Sequence, residues 1–225
     1  MFTPFAFVKS VTSITPTPTG SIPTTGLLLG IDISDITCYP GSGSTVYNLA
    51  NLALYGTLGT DATVTGSYIN FKGNSNSTLL FSTNDYDLPG SAWSYVIKVN
   101  PQSADTSYWA EKSDNFDKLS IVYGYNGEAC RPWNGSYHNM DPVSTPIGQT
   151  NVIAFTHDTN GITNNYKSYK NSVLQQELSS DFTPTDATGF RFNGFDNGDW
   201  RLFNFYFYNR ALTAQEVEDI YNYVI

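Results

Sequence analysis

Short apolar stretches, many of them alternating with polar residues, recur along the chain from residue 27 to residue 208. Alternation with a period of two places successive side chains on opposite faces of a strand. Glycine, proline, asparagine and aspartate occupy the intervals, and these residues favour tight turns. The pattern predicts strands at 27–33, 68–72, 78–82, 92–99, 118–125, 151–156, 166–170, 173–178, 189–194 and 200–208.

Two of the intervals have the composition of hairpin turns. The sequence Asp-Thr-Asn-Gly at 158–161 marks the first, and Asn171 with Ser172 marks the second. Asparagine and glycine tolerate positive φ, which tight turns between antiparallel strands require. Many short strands separated by turns predict an all-β fold, namely a two-sheet antiparallel jelly-roll sandwich.

Two predicted strands carry large aromatic residues on one face. In the strand at 92–99, Trp93 alternates with polar positions, which places it in the core. In the strand at 200–208, Phe203, Phe205 and Phe207 alternate with asparagine and tyrosine. We therefore expect these three phenylalanines to share one face.

The C-terminal segment has the pattern of a short amphipathic helix. Thr213 and Glu216 form a T-x-x-E capping box, and Leu212 and Val217 are spaced as a hydrophobic staple. The residues that predict its apolar face are Val217, Ile220, Tyr221 and Val224. We expect this helix to pack against the outside of the sandwich in a structural role.

Residues 1–26 differ in composition from the rest of the chain. Residues 12–26 are rich in Thr, Pro, Ser and Gly, and alternating Thr-Pro keeps the backbone extended, so they predict a semi-rigid linker. Before the linker, Phe2, Phe5, Phe7 and Val8 form an apolar patch. The patch predicts an arm that anchors on another protein, and the alternative is a strand that covers the domain's own core. The domain proper is expected at 27–225.

Composition supports a single β-rich body. The 225 residues are 15% aromatic and 14% charged, and so few charges argue against coiled coils and long solvated helices. The net charge of -9 disfavours binding to nucleic acid and to anionic membranes. The chain has no apolar stretch long enough for a transmembrane helix and no recognisable secretory leader. Cys38 and Cys130 fit no metal or redox motif, and two free buried thiols or one long-range disulfide remain open.

The segment at 200–221 resembles the end of laminin-G-like, concanavalin A-like jelly-roll domains. In that family a strand leads into Tyr-Asn-Arg-Ala-Leu, a serine or threonine, and a short acidic helix. The sequence Tyr-Asn-Arg-Ala-Leu-Thr at 208–213 fits that ending at each position. Residues 151–178 resemble the central hairpins of the family. Residues 27–51 resemble the opening of versions found in bacteriophage and large-virus structural proteins.

The resemblance implies a domain that commonly binds glycans or proteins, sometimes with calcium, and in a minority of cases hydrolyses glycosides. Glycosidases need two carboxylates across the bond. The five glutamates, at 111, 128, 177, 216 and 218, do not form the Glu-x-Asp-x-x-Glu pattern typical of retaining enzymes of this fold. We therefore expect no catalytic residues and no required cofactor.

Two segments have the composition of binding sites. Asp196, Asn197 and Asp199 place oxygen side chains on one loop, which could hold calcium or only form a turn. The segment at 131–142 combines aromatic rings, which cover the CH faces of sugars, with amides that pair with hydroxyls. The candidate glycan-binding residues are Trp133, Tyr137, His138 and Asn139, together with Trp109 from a similar short polar segment.

The predicted N-terminal arm and the family resemblance together predict a non-enzymatic virion structural protein of a tailed bacteriophage. The candidate roles are a capsid decoration and a fibre or knob of the head or tail. The arm would bind other virion proteins, and the jelly roll would be displayed on the exterior surface of the virion, where it could attach to a host-surface glycan. Symmetry-repeated sites on a virion favour homo-oligomers. The alternatives are a carbohydrate-binding module for cell-surface recognition and a divergent glycoside hydrolase.

Overall fold

A computed structural model describes residues 20–82, 92–111, 120–124, 129–133, 142–158, 165–179, 189–193 and 198–225. The predicted anchor residues Phe2, Phe5, Phe7 and Val8 lie outside these ranges, as does most of the predicted turn at 158–161. The described residues form sixteen strands and one C-terminal helix. The architecture is therefore all-β, as the sequence pattern predicts.

The first eight strands are β1 (Leu27–Asp32), β2 (Thr45–Asn48), β3 (Asn51–Leu58), β4 (Thr63–Thr65), β5 (Tyr68–Phe71), β6 (Leu79–Phe81), β7 (Trp93–Pro101) and β8 (Ser107–Glu111). They are followed by β9 (Ser120–Tyr123), β10 (Ala129–Trp133), β11 (Val143–Ser144), β12 (Asn151–Asp158), β13 (Asn165–Lys170), β14 (Val173–Ser179), β15 (Phe190–Phe192) and β16 (Trp200–Tyr208). The helix α1 spans Ala214–Val224. All ten predicted strands have a counterpart, whereas β2, β3, β4, β8, β10 and β11 were not predicted.

The strands form two antiparallel sheets. The first sheet has the order β14-β13-β12-β7-β16-β5-β4, and β1 pairs with β16 beyond the end of β5. The second sheet has the order β11-β10-β9-β8-β15-β6-β3-β2. The two sheets enclose one core, so the predicted two-sheet jelly-roll sandwich is confirmed.

Aromatic rings dominate the main core between the sheets. Trp93 has no exposed surface, which confirms its predicted core position. Its neighbour on β7, Tyr95, stacks on Phe207 of β16 with ring centroids 4.9 Å apart. Each buried side chain of this size contributes about 1.5–3 kcal/mol relative to an exposed one. Burial of so many rings stabilises the sandwich without requiring a disulfide.

The helix α1 covers the outer face of the first sheet. Val217, Ile220 and Val224 are buried against a second apolar cluster that includes Val96 of β7 and Tyr206 of β16. The predicted amphipathic face and its position outside the sandwich are therefore confirmed. In the ranges that the structure describes, no helix is long and apolar enough to cross a membrane.

Both halves of the predicted capping box are present at the start of α1. The Thr213 hydroxyl accepts a hydrogen bond from the Glu216 amide at 3.2 Å, and the Glu216 carboxylate accepts one from the Thr213 amide at 2.9 Å. The guanidinium of Arg210 adds a bidentate contact to the Glu216 carboxylate at 2.6 and 2.9 Å. Arg210 also donates to the Thr25 carbonyl at 2.8 Å. The cap thus ties the helix to the segment that precedes β1.

A bulge in β16 corrects one predicted face. The register with β7 passes from Leu202↔Val99 to Asn204↔Lys98 and leaves Phe203 unpaired. Because the bulge adds one residue, Phe203 is not part of the main core that buries Phe205 and Phe207. Its ring instead contacts Tyr68, at 5.2 Å between centroids. The prediction that the three phenylalanines share one face is wrong at Phe203.

Cys38 is a free, buried thiol. Its sulfur accepts a hydrogen bond from the Asp32 amide at 3.4 Å and donates one to the Tyr47 carbonyl at 3.2 Å. Burial raises the pKa of the thiol to about 12, so it stays protonated. The free-thiol alternative is confirmed for Cys38, and the side chain of Cys130 lies outside the described residues.

The turn between β13 and β14 generates a first test. Asn171 and Ser172 have φ of 49° and 65°, which confirms the predicted turn. The Asn171 side chain accepts a hydrogen bond from the Val152 amide at 2.9 Å, whereas the Ser172 hydroxyl makes none to any described residue. We expect Ser172→Gly to raise the free energy of unfolding by up to about 1 kcal/mol, because glycine adopts positive φ without strain.

Asn171→Gly serves as the matched control for this turn. It should lower the free energy of unfolding by about 1 kcal/mol, since it removes the hydrogen bond to Val152. Urea unfolding followed by circular dichroism measures both variants. Destabilisation by Ser172→Gly would contradict the strain argument.

The helix cap generates a pH test. Hydrogen bonding from Arg210 lowers the pKa of Glu216 from 4.5 to about 2. Folding therefore favours the ionised carboxylate, and the stability it contributes is present above pH 4.5 and lost as the pH falls to about 2. We expect the wild type to lose more free energy of unfolding across this window than Glu216→Gln. The variant Glu218→Gln, exposed on the same helix, should keep the wild-type pH dependence.

Candidate functional site

Of the predicted glycan-binding segment at 131–142, the structure describes residues 131–133 and 142. Trp133 ends β10, where its register partner on β9 is Ser120. Tyr137, His138 and Asn139 lie outside the described residues. The sheet position of Trp133 is therefore established, and a role of this segment in binding glycans stays a prediction.

Trp109 does not belong to a binding surface. Its indole has no exposed area and stacks on Tyr123 at 4.7 Å, and it also contacts Trp200 at 5.7 Å. A ring packed between other core rings offers no face to a sugar. The prediction that Trp109 contacts a glycan is therefore wrong. The polar residues next to Trp109 in the sequence suggest an exposed ring, but contacts with rings distant in sequence bury it.

The side chain of Asp199 already has partners within the fold. One carboxylate oxygen accepts a hydrogen bond from the Gly73 amide at 2.9 Å, and the other lies 3.6 Å from the Lys72 ammonium. Its predicted companions Asp196 and Asn197 lie outside the described residues. Within the described part of the chain, no group of three His, Cys, Asp or Glu residues could hold a metal ion. Calcium at this loop stays a prediction.

A row of register partners crosses seven strands of the second sheet. Thr57 and Leu80 of this row are exposed, whereas Leu79 and Phe81 beside Leu80 are buried, so the row begins on the face away from the core. We call it the outer row. Its members, in order across the sheet, are Thr45, Thr57, Leu80, Arg191, Glu111, Ser120 and Trp133.

The outer row connects the predicted residue Trp133 with the opposite edge of the sheet. From Thr57 on β3 to Trp133 on β10 the row spans five strand spacings, or about 24 Å. Val122 of β9 is only 2% exposed although its neighbours on either side, Ile121 and Tyr123, belong to the core. The face is therefore covered near β9, and its open part lies on β2, β3 and β6.

Two tyrosines lie on this open part of the face. Tyr47 of β2 and Tyr55 of β3 are register partners, and their rings meet edge to face at 6.4 Å between centroids. Tyr55 is 57% exposed. We call these two residues the tyrosine pair. The threonines of the outer row, Thr45 and Thr57, lie two residues along the same strands, about 7 Å away.

The surface around the tyrosine pair combines two kinds of contact. Exposed aromatic rings can pack against apolar CH groups, and the neighbouring hydroxyls can donate and accept hydrogen bonds. Arg191 in the outer row adds a cationic side chain two strands from Thr57. The chemistry suits a ligand that has both apolar faces and many hydroxyl groups.

A second feature lies at one end of the sandwich. The loop between β1 and β2 and the turn between β4 and β5 enclose a cleft of about 390 Å³, which we call the loop cleft. The residues that line it include Ile33, Ile36, Tyr39, Val64 and Ser67. Among the described residues that line it, none is charged. Its volume lies in the range typical of ligand pockets.

Sequence reasoning missed both features. The tyrosine pair lies on β2 and β3, which the apolar pattern did not predict. In β3 the sequence Asn-Leu-Ala-Leu-Tyr-Gly-Thr-Leu has few buried positions, so its alternation is weak. The tight connection at Leu49 and Ala50 sets the register Asn48↔Asn51, and an irregularity between Tyr47 and Asn48 then shifts the register to Tyr47↔Tyr55. That short connection was the one local indication of a hairpin.

The same fold occurs in solved structures of glycan-related proteins. A structure of botulinum neurotoxin type C, whose cell entry is described as dependent on two ganglioside molecules, matches with a TM-score of 0.69 at 12% identity, over 90% of this chain and 52% of that one. The receptor-binding domain of botulinum neurotoxin type G matches with a TM-score of 0.63 at 14% identity, over 87% and 51%. Trypanosoma rangeli sialidase in complex with sialic acid matches with a TM-score of 0.63 at 16% identity, over 89% and 33%.

These likenesses establish the fold. The chain spans about a third to a half of the length of the solved structures it matches. No protein-family model matches the sequence, and no curated protein matches it. The β-sandwich architecture is therefore shared with these proteins at identities too low to carry over their ligands.

Proposed function

We propose that the chain is a non-catalytic, lectin-like domain that binds glycans on the outer face of its second sheet. The observation that carries this proposal is the tyrosine pair, with Tyr55 more than half exposed and two threonine hydroxyls alongside. An exposed aromatic ring with hydroxyl groups beside it offers a ligand both a stacking face and hydrogen-bonding partners. Sugars present the matching apolar and hydroxyl surfaces.

Comparison with solved structures supports this proposal. Toxin structures with the same fold are described by their titles as receptor-binding and as dependent on gangliosides, which are lipids with oligosaccharide heads. The sialidase structure contains sialic acid. For this chain we infer a glycan ligand of the cell surface, which contacts the tyrosine pair and the open part of the outer row on β3 and β6.

The charges of the outer row favour binding over hydrolysis. Glycoside hydrolysis uses two carboxylates on opposite sides of the scissile bond. Glu111 is the one carboxylate among the seven positions of the row. The row itself therefore does not supply the pair of carboxylates that this mechanism uses.

We also propose that the domain is displayed on the exterior of a bacteriophage virion. The support is the apolar segment with Phe2, Phe5 and Phe7, which a Thr-Pro-rich linker separates from the folded body. Residues 20–26, at the end of that linker, run along α1, and Arg210 holds the Thr25 carbonyl. The apolar segment would join the assembly while the sandwich projects from it.

Substitution of the tyrosine pair tests glycan binding. We expect the full-length chain to bind members of an array of cell-surface glycans, and Tyr55→Ala to weaken that binding about tenfold, or about 1.4 kcal/mol, because a stacking face is lost. Trp133→Ala tests the predicted glycan-binding segment at 131–142 independently of the tyrosine pair. Leu174→Ala, an exposed apolar change on β14 of the other sheet, should leave affinity unchanged.

Three results would overturn the glycan proposal. The wild type could bind no glycan on the array. Tyr55→Ala could bind as tightly as the wild type, so that the tyrosine pair is not the site. Release of free sugar from bound glycans by the wild type would show that the domain is an enzyme.

Association of the chain with purified phage particles tests the proposal that the domain is displayed on a virion. We expect mass spectrometry of phage particles, purified from lysates of the source that encodes the chain, to detect it. The full-length variant Phe2→Ser/Phe5→Ser/Phe7→Ser should remain folded and be lost from the particles, since the anchor would no longer be apolar. Two results would contradict the proposal. The wild-type chain could be absent from the particles, or the triple variant could be incorporated at the wild-type level.

A further inference from the structure

A row of polar register partners crosses four strands of the first sheet. Its members, in order from β4 through β5 and β16 to β7, are Thr63, Asn70, Arg201 and Asn100. Both neighbours of Arg201 along β16 are fully buried in the core, so Arg201 lies on the outer face of the sheet. We call these four residues the arginine row.

The guanidinium of Arg201 makes no hydrogen bond or ion pair with any described residue. Its Cζ lies 4.9 Å from the centroid of the Tyr68 ring, a cation–π contact that holds the group against the sheet. The Nε–H group is buried without a partner, whereas the two Nη groups reach the surface. A buried donor without a hydrogen bond costs free energy, and native folds keep few of them. The placement of Arg201 is therefore better explained by a ligand than by the stability of the fold.

The acidic residue nearest to Arg201 in the sequence is already engaged. Asp199 precedes it by two residues, and its carboxylate accepts a hydrogen bond from the Gly73 amide and pairs with the Lys72 ammonium. Arg201 thus keeps its positive charge at a half-buried position. An anion bound there would form charge-assisted hydrogen bonds, which are about twice as strong as neutral ones.

The two sides of the arginine row differ in what they can offer a ligand. On the β7 side, the Asn100 amide donates to the Gly148 carbonyl at 3.2 Å and to the Thr150 hydroxyl at 3.0 Å, so it is occupied. On the other side, the side chains of Asn70 and Thr63 make no hydrogen bond to a described residue. Thr63 is exposed and lies two strand spacings, or about 10 Å, from Arg201. The row is therefore open towards β5 and β4.

The open side of the arginine row suits an acidic sugar. A guanidinium binds a planar carboxylate through two parallel N–H groups, and free amide and hydroxyl groups pair with the hydroxyls of a sugar ring. The net charge of -9 repels ligands that carry many negative charges, such as nucleic acids. One cation in an acidic protein thus favours a ligand with one carboxylate and many hydroxyls.

We propose that the arginine row binds a carboxylate-bearing sugar. The two Nη groups of Arg201 would hold the carboxylate, and the sugar ring would extend over Asn70 towards Thr63. This site goes beyond the glycan binding proposed above, because it lies on the other sheet from the tyrosine pair and requires a negatively charged ligand.

NMR titration of the full-length chain with small glycosides tests this site. The acidic probes are methyl glucuronide and the methyl glycoside of N-acetylneuraminic acid, and the neutral probe is methyl glucoside. We expect at least one acidic probe to shift the side-chain Nε–H resonance of Arg201 saturably, with a dissociation constant at least tenfold below that of the neutral probe. Sodium acetate, a carboxylate without a sugar ring, should bind more weakly than that acidic probe.

Two variants that each remove one positive charge separate specific from long-range effects. Followed at the backbone amide of Asn70, Arg201→Gln should weaken binding of the acidic probe about tenfold, because the charge-assisted contact is lost. Lys170→Gln, on β13 of the same sheet, should bind as the wild type does. Arg201→Gln should not lower the melting temperature, since it removes a buried donor that has no partner among the described residues.

Several outcomes would overturn the proposal. Neither acidic probe could bind, the neutral probe or acetate could bind as tightly as the acidic ones, or both charge variants could weaken binding equally. A lower melting temperature of Arg201→Gln with unchanged binding would make Arg201 a structural residue. Because Tyr55→Ala should leave this titration unchanged, failure at the arginine row and failure at the tyrosine pair are separate results.

Discussion

The structure depends on β16 being apolar on both faces. Its inner residues Phe205 and Phe207 are buried in the core between the sheets, and its outer residues Tyr206 and Tyr208 form part of the surface on which α1 packs. Along one edge β16 pairs with β7, and along the other it pairs with β5 and then with β1. The bulge at Phe203 lies at the change from β5 to β1, where its carbonyl accepts a hydrogen bond from the Ile33 amide at 3.2 Å. One strand thus organises the first sheet and joins both apolar clusters.

The helix occupies part of the outer face of the first sheet. The side chain of Ser94 on β7 donates to the Arg210 carbonyl and accepts from the Leu212 amide, both at 2.9 Å, and so fixes the approach to α1. Arg210 then holds the helix cap and the Thr25 carbonyl. The helix and residues 20–26 lie on that sheet and cover its middle strands, whereas the outer face of the second sheet is open on β2, β3 and β6. The tyrosine pair lies there.

The fold could be predicted from the sequence where burial makes the pattern strong. In β7, β12 and β16 most residues are buried, and the capping box of α1 is a local sequence feature. The strands β2 and β3 were missed because exposed residues interrupt their alternation. Trp109 was misplaced because its burial depends on Tyr123 and Trp200, which are distant in sequence. The outer row could not be predicted at all, since it follows from the pairing of seven strands rather than from any one of them.

The tyrosine pair and the loop cleft share one piece of backbone. Cys38 precedes Tyr39 of the loop cleft, and its carbonyl accepts a hydrogen bond from the amide of Tyr47, while its thiol donates to the Tyr47 carbonyl. These paired contacts fix the cleft wall relative to the tyrosine pair, and the buried thiol remains protonated because its pKa is raised.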